Sequence, residues 1–268
     1  MPTIERVRHE LRLRLLEVAE VVDLTPTLRR IVLRGDLADF ASAAPDDHVK
    51  LIFPLPGEDA PRLPELTPQG LRRPEGERDA PMRDYTPRAF DVAAGTLSVD
   101  MVLHGDGPAA TWAARAVPGA LVGQAGPRGS RVASADFDWW LLAGDEAALP
   151  AIARRLEELP AGARATVLVE VDGPQGELPL ETAADVRLAW LHRDGAAAGT
   201  TDLLEDAVRD LALPPGDGFA WVACEAEVAR RLRAHLRDER GLSKAYTKVT
   251  GYWRLGTADH HDPPEEGA

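Results

Sequence analysis

Arg83-Asp84-Tyr85-Thr86-Pro87-Arg88 lies between a Pro-rich stretch and an alternating strand pattern. Read as a strand, it puts Arg83 and Tyr85 on one face, because side chains alternate with period two. Thr86 then points the other way at the strand end. Pro87 cannot donate to a ladder, so it belongs at an end or an edge. Such a strand end offers a guanidinium fork for a diphosphate, a phenol for a polyol chain and a hydroxyl for a ring nitrogen. These complement the polar groups of a flavin dinucleotide, in order. An ordinary edge strand with charged faces gives the same pattern, so the surrounding chain has to decide.

Outward from this stretch, the first half reads as strands. Leu11-Arg12-Leu13-Arg14-Leu15 alternates, with Leu on one face and Arg on the other. Leu28 to Leu33 is a second strand and His48 to Phe53 a third, stopped by Pro54. From Pro54 to Pro81 there are seven prolines and no hydrophobic period, which predicts a surface insertion or a flap. After the Arg83 strand come Thr96 to Leu103, a short helical run from Gly107-Pro108 to Arg115, and a strand near Ala120 to Ala125. Six short strands at this spacing predict an antiparallel β-barrel.

The rhythm then changes. Trp139 to Ala143 reads as a buried strand, followed by Gly144-Asp145-Glu146 and a helix to Leu159. Strands at 165–171, 186–191 and 219–224 alternate with helices at 200–211 and 225–240, with Gly241 as a C-terminal stop. Lys244 to Arg254 is a last strand. This alternation predicts a parallel, doubly wound, Rossmann-like α/β sheet. The predicted division is 1–133 for the barrel, 134–258 for the α/β domain and 259–268 for an acidic, disordered tail.

Composition excludes several classes. The 268 residues suffice for two ordinary domains. The net charge of −13 argues against nucleic acid, which asks for a basic face. No apolar run approaches about 18 residues, so no spanning helix is expected. No signal-like segment opens the chain, and one cysteine, Cys224, forms neither an intrachain disulfide nor a thiolate cluster. The expected compartment is the cytoplasm. A Gly-x-x-x-x-Gly-Lys-Ser loop, a Gly-x-Ser-x-Gly elbow and a His-Glu-x-x-His motif are all absent.

Five blocks, in order along nearly the whole chain, resemble the siderophore-interacting protein family. They are Arg83 to Arg88; Val102-Leu103-His104-Gly105 with Gly107-Pro108-Ala109; Gly126-Pro127-Arg128-Gly129; Ala143-Gly144-Asp145-Glu146 with Ala148-Leu149-Pro150; and Gly251-Tyr252-Trp253-Arg254. These are FAD-dependent ferric-siderophore reductases of the ferredoxin-reductase class, with FAD on the barrel and a nicotinamide dinucleotide on the sheet.

The resemblance implies roles. Arg83 and Tyr85 hold the pyrophosphate and ribityl chain, with Thr86 near the flavin N5. Val102 and Leu103 offer backbone groups to the ring, and His104 sits beside the phosphates or in a satisfied turn. Gly107, Ala109, Ala110 and Thr111 open a helix whose free N–H groups suit a diphosphate, although a simply capped helix reads the same. Trp253 packs on the flavin or adenine, or sits in the core.

On the α/β side, Gly144, Asp145, Glu146, Ala148, Leu149, Cys224 and Glu225 line the nicotinamide site, at the carboxyl ends of parallel strands. Asp145 and Glu146 put carboxylates where a pyrophosphate is expected, yet they also stabilise a helix start. Arg193 is either a solvated loop arginine or a contact for a 2′-phosphate. Cys224 is expected as a small buried residue and not as a nucleophile. Catalysis belongs to the flavin, so no catalytic side chain and no protein metal site are expected.

For an anionic ferric siderophore the best cations are Lys50, Arg128 and Arg254, ahead of Arg131 and Lys248, expected to converge on an interdomain crevice. The expected function is reduction of the chelated iron by NADPH or NADH in a monomer. A general flavin reductase, a ferredoxin-fed one, or a siderophore-binding shuttle protein are the alternatives.

Overall fold

The computed structural model describes residues 1–72 and 80–257. The expected 259–268 tail and part of the Pro54–Pro81 insertion lie outside the described residues. Two compact units divide the chain, Arg6–Val132 and Ala133 onward, and Met1–Glu5 belongs with the second. The 1–133 assignment is corrected on that point, for a reason in hydrogen bonds. The Ser134 N–H donates to the Thr3 carbonyl at 2.9 Å, the Thr3 N–H donates to Ser134 Oγ at 3.1 Å, and the Tyr246 hydroxyl donates to the Pro2 carbonyl at 3.0 Å.

Around the Arg6–Val132 unit run β1 (Ile4–Arg8), β2 (Leu13–Thr25), β3 (Leu28–Arg34), β4 (Val49–Ile52), β5 (Glu65–Thr67), β6 (Gly70–Arg72), β7 (Met82–Tyr85), β8 (Ala89–Asp91), β9 (Thr96–Val102), α1 (Pro108–Arg115), β10 (Leu121–Ala125) and β11 (Gly129–Ala133). Seven of these strands form one antiparallel sheet in the order β7-β4-β10-β2-β3-β9-β8. All six expected strands are in it. The seventh, β8, is too short to show an alternation of its own. No hydrogen-bonded pair joins β7 to β8 among the described residues, and the sheet has seven strands where six were expected.

The core face of β2 also differs from expectation. Leu15 is 47% exposed while Arg14, Leu16 and Val18 are buried. The Leu/Arg alternation ends at Leu15, and the next residues shift the apolar set by one, which exchanges the faces. Buried Arg14 is satisfied by the Asp36 carbonyl at 3.0 Å, Gln124 Oε1 at 3.1 Å and the Asp39 carboxylate. Its guanidinium lies 5.7 Å from the Phe40 ring centroid. The core around it combines Leu16, Val18, Ile31, Leu33, Val49 and Leu51 with the small residues Ala109 and Ala113 of α1.

Part of the insertion is ordered onto the sheet. β5 and β6 pair as a hairpin, and Leu63 covers β10 at Gly123, where a Cβ would fall 2.4 Å from the Leu63 side chain. Glycine at 123 is what admits Leu63.

The second unit holds β12 (Trp139–Asp145), α2 (Leu149–Glu158), β13 (Arg164–Val171), β14 (Asp185–His192), α3 (Leu203–Arg209), β15 (Gly218–Glu225), α4 (Ala226–Ala234) and β16 (Thr247–Trp253). Its five strands are all parallel, in the order β14-β13-β12-β15-β16. The strand order reverses direction between β12 and β15, which makes their carboxyl ends the ligand crevice of such a sheet. The link from β13 to β14 has no α-helix, only a 3₁₀ turn at Pro174–Gly176; its glycines and prolines break any helical period. No helix among the described residues is long and apolar enough to cross a membrane.

Candidate functional site

In the antiparallel unit, β7 pairs with β4 so that Tyr85 faces Val49 and Arg83 faces Leu51. Cross-strand partners share a face, so Arg83 and Tyr85 lie on the side of buried Val49 and Leu51. Tyr85 meets Phe53 edge-on at 6.4 Å, and Phe53 meets Trp112 of α1 at 5.3 Å. Arg83 Nη1 donates to the Met82 carbonyl at 2.7 Å. Burial drives the Tyr85 phenol well above its usual range, with Arg83 opposing part of the shift, so the ring keeps its O–H. Thr86, the next residue, is buried at 7% exposure.

The loop after β9 leads into α1. Val102 is in the ladder opposite Leu28, and the Leu103 N–H donates to the Thr27 carbonyl at 2.7 Å. That N–H is spent, so of the backbone groups expected to face a ring, Leu103 retains only its carbonyl. His104 is exposed. Gly107 caps α1 without any side-chain bond, Pro108 sits in the first turn, and no acidic residue is there. The Thr111 N–H closes on the Gly107 carbonyl at 2.8 Å, so its predicted free N–H is corrected. Ala109 and Ala110 supply the open first-turn N–H groups, and their methyls are buried. A guanidinium, a protonated phenol, a hydroxyl and an uncapped helix start with small side chains form a donor set that fits a dinucleotide diphosphate.

The three cation candidates separate sharply. Lys50 faces Asp84, opposite in register, and is ion-paired to it at 2.8 and 3.1 Å. It therefore lies on the face of β4 opposite to Arg83 and Tyr85. Arg254 pairs with Glu227 at 2.5 Å. Arg128 is exposed and has no carboxylate partner among the described residues.

In the parallel unit the predicted nicotinamide residues do come together. Gly144, Asp145, Cys224 and Glu225 end the adjacent strands β12 and β15, with Gly144 opposite Ala223. A Cβ on Gly144 would fall 2.3 Å from both the Ala148 Cβ and the Ala223 carbonyl oxygen, so only glycine lets α2 start this close. Ala148 precedes α2 and Leu149 opens it. The two acids turn inward. Asp145 accepts from the Ala147 N–H at 3.0 Å and the Trp253 indole at 2.7 Å. Glu146 takes both arms of Arg193, at 2.9 and 2.6 Å, and the Asp172 N–H at 3.0 Å. Arg193 also reaches Glu170 at 3.5 Å, and Thr201 donates to Glu170 at 3.0 Å.

Arg193 is thus neither a solvated loop residue nor free for a 2′-phosphate: at 9% exposure it is the buried counter-ion of two carboxylates. Nothing in a sequence of scattered Glu and Arg marks this network; only the parallel register brings Glu146, Glu170 and Arg193 together. Burial raises Asp145 to about 7, with the Trp253 bond opposing and Glu146 adding to it. Burial, then the neighbouring carboxylates, raise the Cys224 thiol well above its ordinary value, so it is no nucleophile at neutral pH. Glu225 caps α4, accepting from the Glu227 and Val228 N–H groups at 2.7 and 3.1 Å. An open cavity of about 300 Å³ beside this cap is lined by Thr201, Glu225, Arg231 and Arg254, among others. Trp253 belongs to this unit, with its N–H committed to Asp145.

Comparison with known proteins agrees with this division. Residues 17–131 match the family model for the siderophore-interacting FAD-binding domain, and residues 137–256 that for the siderophore-interacting protein. The NADPH-dependent ferric-chelate reductase of Escherichia coli K12 is 35% identical, covering 93% of this chain and 96% of its own. The crystal structure of a siderophore utilization protein from T. fusca superposes with a TM-score of 0.90 at 40% identity, over 97% of this chain and 98% of that one. A ferredoxin reductase of carbazole 1,9a-dioxygenase, at 17% identity and TM-score 0.63 over 91% and 70% of the two chains, shares the fold. The chain belongs to the siderophore-interacting protein family.

Proposed function

We propose that this chain is an FAD-dependent reductase of ferric siderophores with NADPH as its electron donor. The observation that carries this reading is the uncapped start of α1 in the FAD-binding-domain match, with open N–H groups on buried Ala109 and Ala110. Arg83, Tyr85 and Thr86, the Val102–His104 turn and Gly107–Thr111 hold FAD. When bound, FAD supplies the redox chemistry that joins a two-electron nicotinamide donor to one-electron ferric iron. The chain supplies charge and position. Arg83 offsets phosphate charge, and Tyr85, kept protonated by burial, donates a hydrogen bond without adding a negative charge.

On the parallel sheet, Gly144, Asp145, Glu146, Ala148, Leu149, Cys224 and Glu225 meet the nicotinamide dinucleotide. Because both acids are bonded inward, the turn presents backbone to the dinucleotide and the repulsion feared from its sequence is relieved. Arg128, without a carboxylate partner among the described residues, is the cation for an anionic chelate. Reduced iron leaves because hard oxygen ligands favour the ferric ion. The same reading has a monomer in the cytoplasm, with ferredoxin as the competing donor.

Anaerobic stopped-flow absorbance tests it. NADPH should bleach the bound flavin, and a ferric siderophore should restore the colour while a ferrous trap captures iron. Bleaching without restoration by the ferric complex identifies a general flavin reductase. Bleaching only by reduced ferredoxin overturns the donor. Purification without flavin, and with no flavin uptake, leaves a shuttle protein.

A further inference from the structure

The β5–β6 hairpin bears on Arg128 through a contact that its sequence does not advertise. Gly70 opens β6 at φ +116°, and a Cβ built on it would lie 2.9 Å from Arg128 Nη2. The guanidinium therefore rests against the bare Cα of Gly70. Thr67 stiffens this tip: its hydroxyl donates to the Gly70 carbonyl at 2.8 Å and accepts from the Gln69 N–H at 3.3 Å. The carboxylate of the hairpin strands, Glu65, is bonded to Arg72 across the two strands. The tip thus supports the guanidinium with backbone, and among the described residues no carboxylate pairs with it, in a chain whose net charge is −13. Arg128's own backbone is fixed as well, since its carbonyl accepts from the His9 N–H at 3.0 Å.

We propose that the Thr67–Gly70 hairpin tip is a specificity element that positions Arg128, making the site favour a triply anionic ferric chelate over a neutral one. Gly70 and Thr67 are positioning residues, acting through Arg128 and not on the chelate. The proposal rests on the reading of Arg128 as the chelate's cation. A guanidinium braced on one side by a bare Cα keeps its remaining donors aimed together, so less side-chain entropy is lost when an anion binds. Any side chain at 70 takes the space of Nη2 and swings the fork aside. A side chain at 70 also strains the backbone, which stands at φ +116°, so Thr67→Val, which leaves that backbone glycine in place, is the cleaner probe.

The test is a double-mutant cycle read by quenching of bound-FAD fluorescence. The ligands are a trianionic tris-catecholate ferric complex and a neutral tris-hydroxamate ferric complex. Gly70→Ala should weaken the trianionic complex by about tenfold, leave the neutral one unchanged, and add nothing in an Arg128→Ala background. FAD content and melting temperature are measured alongside. Thr67→Val, which removes the two hydroxyl bonds at nearly constant volume, should move in the same direction by less, and decides the matter should Gly70→Ala disturb the fold. If Arg128→Ala weakens the trianionic complex while Gly70→Ala and Thr67→Val change nothing, the hairpin proposal fails and the cation reading stands. Equal losses from Gly70→Ala with and without Arg128 also overturn the proposal. If Arg128→Ala itself has no effect, the underlying reading fails and the proposal with it.

Discussion

The indole N–H of Trp253 donates to the buried Asp145 carboxyl at 2.7 Å, joining the end of β16 to the end of β12. This bond crosses β15, the strand that separates them in the sheet. It gives Trp253 a polar partner at the carboxyl ends of the parallel strands, and it holds Asp145 away from solvent at 5% exposure. The Trp253 ring also closes over Gly199, where a Cβ would fall 2.8 Å from Cη2. The end of β16 and the loop before α3 are therefore fixed through one indole.

Asp145 makes stability depend on pH in a definite direction. Its folded pKa is raised to about 7 by burial, against about 3.9 for an unfolded aspartate. The folded state holds a proton that the unfolded state has lost, so stability falls as pH rises from about 4 through about 7. The loss is on the order of 4 kcal/mol for a shift of about three units. Asp145→Asn does not ionise, although its single carbonyl oxygen keeps only one of the two bonds that Asp145 accepts from Ala147 and Trp253. Thermal unfolding at pH 5 and pH 8 should show a smaller drop for the variant than for the parent. Parallel drops would remove Asp145 as the titrating group.

Arg193 should matter for stability and not for the choice of nicotinamide. It is the counter-ion of Glu146 and Glu170 in a buried setting, and burial raises Glu170 above its usual range even so. Arg193→Ala leaves two uncompensated carboxylates, a cost of about 3–5 kcal/mol, seen as a lower denaturant midpoint. Arg193→Lys keeps the charge but loses the two-armed bond. Its ratio of kcat/KM for NADPH over NADH should stay within about twofold of the parent. A collapse of that ratio would return Arg193 to the 2′-phosphate.

What the sequence disclosed and what it hid follow one physical line. Alternation is local, so the six main strands and the parallel sheet were legible. The α1 start was legible too, because Gly107-Pro108 followed by alanines leaves no side chain to cap it. The face of β2 was not, since Leu15 and Leu16 are adjacent and only the partner strand decides which is buried. The insertion showed no period because the residues it buries, among them Pro61 and Pro64, follow no repeat, and Leu63 is fitted to a glycine 60 positions on. The Glu146–Arg193 pair and the Gly70–Arg128 contact join residues 47 and 58 apart in the chain; each is a consequence of topology that spacing cannot encode.

Arg83 should prove a main anchor for FAD. It shares a face with Tyr85 beside the aromatic trio of Tyr85, Phe53 and Trp112. Arg83→Ala removes a charge-assisted bond to phosphate, worth about 1.5–3 kcal/mol. Equilibrium dialysis should then show a clear rise in the FAD Kd with far-UV circular dichroism unchanged. Full flavin occupancy at parental affinity would mean that the phosphate charge is met elsewhere.

The cations should rank in the order their partners dictate, with Arg128 ahead of Lys50 and Arg254. Lys50 and Asp84 lie 2.8 Å apart, with side chains 36% and 27% exposed. At distances larger than that separation, the pair presents little net charge to a ligand. Arg254 is in the same position, bonded to Glu227 at 2.5 Å. A chelate bearing three negative charges must outcompete Asp84 or Glu227 to engage either cation, and it would meet the released carboxylate as a repulsion. Arg128 asks for no such exchange, because its guanidinium rests on glycine backbone. Removing it should therefore weaken a trianionic ferric complex by about tenfold, or about 1.4 kcal/mol, and a neutral complex far less. Lys50→Ala and Arg254→Ala should each have a smaller effect on the trianionic complex. Raising salt should narrow the gap between parent and Arg128→Ala, since the Debye length shortens from about 10 Å at 0.1 M to about 3 Å at 1 M. Titration of bound-FAD fluorescence at those two salt concentrations reads all of this from one signal. Equal losses for the three variants, or an Arg128→Ala effect indifferent to salt and to ligand charge, would refute the ranking.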